Sequence, residues 1–338
     1  MKIKKYIVPI LAVLLVVSIF LISLFGGKPK EATVSGFAMG SPVNITVYDI
    51  KNGEDYCNQA LDRIKYIDNN FLSHTVSNSA VYKLNNGEMV ENTWFAEYLK
   101  KCVELDQTYS GFTLFSGDFK SLWKIENGGY VPSDEEIAQV LENHNESKLI
   151  FDNKKVTFNG KNLDLGALGK GTACDEAIGV FKELGIENAL VTVGGTVGMI
   201  GKPNGKDTFG IGVRNPFGNQ NDYFAVLNVT DCFVSTSGDY EKYFEKDGIR
   251  YSHIFDAETA TPVQNDISSV TVVAKSGMIS DFLSTLIYIE GVEKGFQIAK
   301  EFDAEIIIVK KDKTVLVSKG LKDSLTVQDK NFSVSVIE

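Results

Sequence analysis

The sequence predicts an α+β protein with mixed or antiparallel sheets and packed helices, preceded by one N-terminal transmembrane helix. Three observations lead there. Helical and strand patterns are mixed along the chain without a regular βαβ alternation, which argues against a doubly wound parallel sheet. The composition, 43% apolar and 23% charged over 338 residues, is that of a globular protein with ample core material, and excludes a disordered chain. Twenty consecutive uncharged residues, Tyr6 to Phe25, stand apart from the rest.

At about 1.5 Å per residue, a twenty-residue helix covers roughly the 30 Å hydrocarbon core of a bilayer. No A-x-A cleavage pattern follows it, and no Cys lies near its end to accept a lipid. Lys2, Lys4 and Lys5 precede it, which holds the N-terminus inside and puts residues from about 30 onward outside. The expectation is residues 1–30 as membrane anchor or signal segment with its linker, and 31–338 as an extracytoplasmic domain at the cell membrane. A cleaved, exported form is the alternative. The chain carries a net −10, and its first thirty residues carry +5, so the remainder carries −15. Such a body repels nucleic acid and anionic lipid, so a nucleic-acid partner is excluded and membrane contact is left to the N-terminal helix.

Residues 28–36 read as a linker, and SPVNITVYD (41–49) alternates as a strand. Helical spacing follows over 54–71 and 93–108. Ser133 with Glu136 forms a capping-box pattern opening a helix over 133–143. KLIFD and KVTFN make a hairpin around Asp152-Asn153, and a helix over about 172–185 stops at Gly185. Strands dominate from about 188 to 274, a helix fills about 277–302, and EIIIVKK with KTVLVSK closes the chain as a hairpin. Cys57, Cys102, Cys174 and Cys232 are far apart with no C-x-x-C pair, which gives zinc and thioredoxin-type chemistry no support.

Three stretches hold more glycine, hydroxyl and charge than a core requires. In NLDLGALGKGTACDEA (162–177), GKGT invites comparison with a P-loop, but Gly171 stands where Ser or Thr should follow Lys170, and Asp164 where the first Gly should be. A Gly-rich turn feeding a helix N-terminus still suits an anion, with Lys170 as a point charge; glycine serving turn geometry alone reads equally well. The second stretch, VTVGGTVGMIGKP (191–203) with FGIGVRNP (209–216), pairs Gly194 and Gly195 at a strand end, where a bulge is an equal reading. The third runs from VSTSGDYEKYF (234–244) to the helix after Ser276. Tyr251, His253 and Phe255 share one face of a strand-like run there. Asp281, Ser284 and Thr285 fall at i, i+3 and i+4, so their oxygens converge on one helix face. Carboxylate and hydroxyl oxygens suit a hard cation such as Mg²⁺, which also takes phosphate oxygens. A polar stripe facing solvent is the competing reading.

Taken in order, D-L-G-A-x-x-K-G-x-A-x-D (164–175), V-G-G (193–195), T-S-G-x-Y (236–240), Y-S-H-I-x-D (251–256) and S-V-T-V-x-A…D-x-x-x-T resemble the FAD:protein FMN transferase (ApbE) family over about residues 34–320. The resemblance implies an enzyme that uses Mg²⁺ and FAD to attach FMN through a phosphoester to Thr or Ser of an acceptor protein, releasing AMP. It implies a metal held by the Ala167 carbonyl, Asp281 and Thr285, with Ser284 as a further ligand. It puts FAD contacts at Met39, Asp164, Lys170 and Phe255, and at Gly111, Phe112 and Thr113. The chain departs from the family pattern in SGFTLF (110–115), where Thr113 replaces an Asp, in DAETA (256–260), and at Thr75.

The residues agree with that chemistry. Phosphoryl transfer asks for positioning and charge neutralisation, which Mg²⁺ on Asp281 and Thr285 with Lys170 would supply. His253, with an ordinary pKa near 6.5, suits the base for an attacking hydroxyl, and Asp256 is a candidate to orient its ring. Two rival functions stay open at this point, a Mg²⁺-dependent FAD pyrophosphatase and a non-enzymatic flavin-binding protein.

Overall fold

A computed structural model describes residues 31–337. The transmembrane segment expected at Tyr6–Phe25 lies outside the described residues. Among the described residues, no helix is long and apolar enough to cross a membrane.

The centre is a nine-stranded sheet whose strands lie side by side in chain order. They are β1 (Glu31–Ala38), β2 (Ser41–Tyr48), β3 (Ala189–Val193), β4 (Thr196–Ile200), β5 (Phe233–Gly238), β6 (Ile267–Ala274), β7 (Glu305–Lys310), β8 (Thr314–Ser318) and β9 (Ser333–Ile337). All neighbours are antiparallel except β8 and β9, which run parallel, so the sheet is mixed as expected. Tight turns join β1 to β2, β3 to β4 and β7 to β8, while helices or smaller sheets fill the longer connections.

Both faces of the sheet are covered. One face carries α1 (Gly53–Ile67), α2 (Thr93–Thr108), α3 (Gly166–Glu183) and α4 (Gly277–Glu301), which bury Ile64, Leu99, Phe181 and Leu286 with Val43, Val191 and Val272 of the sheet. The other face packs against a three-stranded sheet (Phe209–Arg214, Tyr223–Val229 and Leu325–Val327). In β7, Ile306 and Ile308 join the helical side, and Ile307 and Val309 the other. An unbroken apolar run is what a strand buried on two faces requires. A separate cluster of Phe119, Trp123, Phe255 and Ala260 lies outside the sheet, tied by Trp123 Nε1–H donating to the Ala260 carbonyl at 2.9 Å.

α3 and α4 cross at two glycines. A Cβ on Gly171 would stand 1.9 Å from the Gly277 carbonyl oxygen, and one on Gly277 would stand 2.3 Å from the Gly171 oxygen. Only hydrogen at both positions permits that approach.

The structure corrects three sequence expectations. Residues 31–36 belong to β1, not to a linker, and pair with Val43 to Tyr48 of β2. The helix expected from about 172 begins at Gly166, so the glycines of GALGKG are helical. Tertiary packing outweighs their low propensity, since Gly171 meets α4 and Gly169 meets the Met39 side chain. The strand-like run through His253 is broken: strands end at Ser252 and resume at Phe255, with His253 N–H donating to the Lys242 carbonyl at 3.0 Å between them. The capping box at Ser133–Glu136 forms as expected, and all four cysteines are free and buried.

Candidate functional site

Asp281 lies just past the first turn of α4, and it is 3% exposed. It does not face solvent. Its Oδ2 accepts the Gly171 N–H at 3.0 Å, and its Oδ1 accepts from Thr196 Oγ1 at 3.3 Å. Lys170 Nζ stands 3.3 Å from the same Oδ1 and donates to the Gly166 carbonyl at 3.1 Å. Burial alone would lower the Lys170 ammonium, but the Asp281 and Glu241 carboxylates outweigh it and raise it.

Hydroxyl groups from the sheet extend the centre. Ser235 and Ser237 are two apart on β5 and therefore share a face. Ser235 donates to Thr196 Oγ1 at 3.2 Å and hydrogen-bonds Ser280 at 2.7 Å. Ser237 hydrogen-bonds Ser284 at 2.8 Å and Thr285 at 3.1 Å. Ser284 and Thr285 thus face the end of β5, while Asp281, one turn earlier, is held by α3 and β4. One carboxylate and two hydroxyls on α4 are hard-oxygen donors of the kind that suits Mg²⁺ completed by phosphate or water. Among the described residues, no group of three or more His, Cys, Asp or Glu side chains could hold a metal.

Asp164, before α3, caps the helix through Gly166 N–H at 2.8 Å and pairs with Lys120 Nζ at 2.5 Å. Burial would raise its carboxyl, but the Lys120 ammonium and the Gly166 N–H hold it well below the usual carboxylate range. Near the same lysines, burial first and then Lys120, Lys242 and Lys170 push His253 down to about 3. His253 Nδ1 is buried with no hydrogen-bond partner. The Asp256 carboxylate does not orient that ring, because it accepts the Glu258 N–H at 2.8 Å and stabilises the turn after it.

The remaining predicted contact residues are held by different means. Met39 has a left-handed backbone (φ 55°), donates its N–H to Asp68 Oδ2 at 2.7 Å, and lays its side chain against Gly169. The Gly111 carbonyl accepts Ala257 N–H at 2.9 Å, which ties the 110–115 segment to the loop after His253. Phe112 is buried edge-on against Phe282 at 4.9 Å, Thr113 is buried with its hydroxyl accepting Phe115 N–H at 3.0 Å, and Phe255 packs in the Phe119–Trp123 cluster. Their side chains are walls and supports, not open surface.

Sequence reasoning missed Lys120, Lys242, Glu241, Thr196 and Ser237 as site residues. Ser235 and Ser237 carried a signal, two hydroxyls alternating onto one strand face. Lys120 carried none, since its partner Asp164 lies 44 residues away.

A mixed sheet covered by helices, with a buried carboxylate–lysine–hydroxyl cluster where two helices cross, defines an α+β protein of ApbE-like architecture. The ApbE family model matches residues 39–308, and the chain belongs to the ApbE family. It is 31% identical over 231 residues to a FAD:protein FMN transferase of Klebsiella pneumoniae, covering 67% of this chain and 71% of that protein. A FAD:protein FMN transferase of Treponema pallidum is 34% identical over 182 residues, a match spanning 51% of this chain and 50% of the relative. Among solved structures, the ApbE protein of Thermotoga maritima superposes with a TM-score of 0.76 at 30% identity, over 87% of this chain and 99% of that one.

Proposed function

We propose that this protein is a FAD:protein FMN transferase that moves the FMN part of FAD onto a Thr or Ser hydroxyl of an acceptor protein. The hydroxyl oxygen attacks the FMN-side phosphorus, a phosphoester forms, the bond to the AMP oxygen breaks, and AMP leaves. The observation that carries the reading is the buried Asp281–Lys170 pair under a row of hydroxyls, in a chain whose relatives bear that activity in their names.

Asp281, Thr285 and the Ala167 carbonyl, with Ser284 beside them, would hold Mg²⁺, which when bound neutralises phosphate charge. Lys170 and Lys120 receive the diphosphate as point charges. Met39 and Gly111 offer FAD their main chain, and Phe112, Thr113 and Phe255 shape the wall behind the flavin. Neutral His253 takes the proton of the attacking hydroxyl on its imidazole. Part of the depression of its pKa comes from lysine charge, so an anionic diphosphate among Lys120, Lys170 and Lys242 raises it toward a useful range. The uncharged stretch Tyr6–Phe25 supports placing this domain outside the membrane, tethered by its N-terminus.

Incubating the protein with FAD, Mg²⁺ and a candidate acceptor, followed by mass spectrometry and nucleotide analysis, tests the reading. Flavin covalently on the acceptor with equimolar AMP supports it. Free FMN with AMP identifies a pyrophosphatase, and unchanged FAD identifies a flavin-binding protein.

A further inference from the structure

The last residue of the motif opening α3, Asp175, has no part in the chemistry above, yet its carboxylate is fully engaged. Oδ1 accepts the Gly277 N–H at 2.7 Å, and Oδ2 accepts the Met278 N–H at 2.8 Å and the Ser276 hydroxyl at 3.0 Å. Ser276 is itself the N-cap of α4, its side chain accepting the Ile279 N–H at 3.4 Å. The first turn of α4 is therefore held by a carboxylate from the neighbouring helix, across the Gly171–Gly277 contact.

Asp175 lies four residues after Gly171, one turn along α3, and Asp281 lies four after Gly277, one turn along α4. The two carboxylates thus flank the crossing reciprocally: Asp175 of α3 binds the amides opening α4, and Asp281 of α4 binds the Gly171 amide of α3. Inside the crossing, Ser280 donates to Ser235 at 2.7 Å, Ser235 donates to Thr196, and Thr196 donates to Asp281. Shifting the first turn of α4 moves both ends of that chain.

We infer that Asp175 is a positioning residue: by clamping the N-terminus of α4 onto α3, it sets where the Asp281 carboxylate and Thr285 hydroxyl stand, and so sets the affinity of that centre for a divalent cation. The inference rests on the reading of Asp281 as a cation ligand. A residue outside the coordination shell that fixes a ligand typically changes metal affinity by about 10–100-fold when it is lost.

The test compares wild type, Asp175→Asn and Ser276→Ala in the full-length protein. Mn²⁺ binding is read by electron paramagnetic resonance with FAD present, the Mg²⁺ dependence of FMN transfer is read in parallel, and amide exchange is followed at Gly277 and Met278. Asp175→Asn is expected to weaken Mn²⁺ binding by about tenfold or more, to shift half-saturating Mg²⁺ upward to match, and to speed exchange at both amides. Ser276→Ala, losing one of the three bonds to Asp175 and its own cap bond to the Ile279 N–H, shifts the same quantities in the same direction by less. Faster exchange with unchanged Mn²⁺ affinity in both variants would make Asp175 a helix cap only and overturn the inference. If Asp175→Asn does not fold, Ser276→Ala alone decides by the same criterion. Absence of any Mn²⁺ binding or Mg²⁺ dependence in wild type would instead remove the reading of Asp281.

Discussion

The Asp281 side of the site and the His253 side are built on opposite principles. Around Asp281, both carboxylate oxygens are engaged, by Gly171, Thr196 and Lys170, and the helix beneath is capped from a second helix. Around His253, the strand is interrupted, the ring nitrogen Nδ1 has no partner, and three lysines repel a proton. A buried charge left unpaired is costly, so the first side must be complete before ligand arrives. The second side keeps a buried ring nitrogen without a partner beside three cationic side chains. The charge-bearing half is fully paired within the fold, and the imidazole half is not.

The largest effect expected from breaking this arrangement is at the helix crossing. In Gly171→Ala the new methyl would meet the Gly277 carbonyl, and neither backbone can yield, so the variant should lose about 3 kcal/mol or more, or fail to fold. Gly179 lies in the same helix with nothing within 4 Å of its would-be Cβ, and Gly179→Ala should be neutral or stabilising by up to ~1 kcal/mol. Denaturant melts of the pair separate a packing requirement from helix propensity; equal destabilisation would contradict it.

On the other side, His253→Ala should leave FAD affinity nearly intact while transfer falls by roughly 10²–10⁴-fold. Collapse of FAD affinity with turnover preserved at saturation would make His253 a binding residue instead. The smallest effect is on stability. The fold keeps His253 neutral down to about 3, whereas the unfolded chain protonates it near 6.5, so wild type loses stability relative to His253→Gln as pH falls through that window. Melts of both proteins at about pH 7.5 and about pH 4.5 should show the gap opening in the acid; a constant gap would mean that the ring titrates alike folded and unfolded.

The two sides were also unequally legible in the sequence. Asp281, Ser284 and Thr285 were readable because helix geometry alone converts their spacing into a shared face, although whether that face met the core or solvent was left to the structure, which buries Asp281. Strand alternation likewise made β2, β8 and the hairpin at Asp152-Asn153 readable, and an unbroken apolar run did the same for β7. The start of α3 was not, because glycines read as a loop until Gly277 and Met39 are seen to need the space they leave. His253 was legible as chemistry but not as geometry: its strand pattern is interrupted by a pairing with Lys242, eleven residues away, which no local periodicity encodes. Lys120 and Glu241 acquire meaning only through long-range contacts with Asp164 and Lys170.

The central claim, that Asp281 with the hydroxyls facing it forms a cation and diphosphate centre, is tested most directly by FMN transfer across a Mg²⁺ titration for wild type and Asp281→Asn. The substitution keeps the shape and removes the charge, together with one of the two acceptor oxygens that Gly171 and Thr196 use. Losing a direct ligand should cost at least as much as losing an outer partner, so half-saturating Mg²⁺ should rise roughly 10–100-fold or more, with transfer partly recovered at high Mg²⁺. Superimposable titration curves for the two proteins would contradict the assignment of the site.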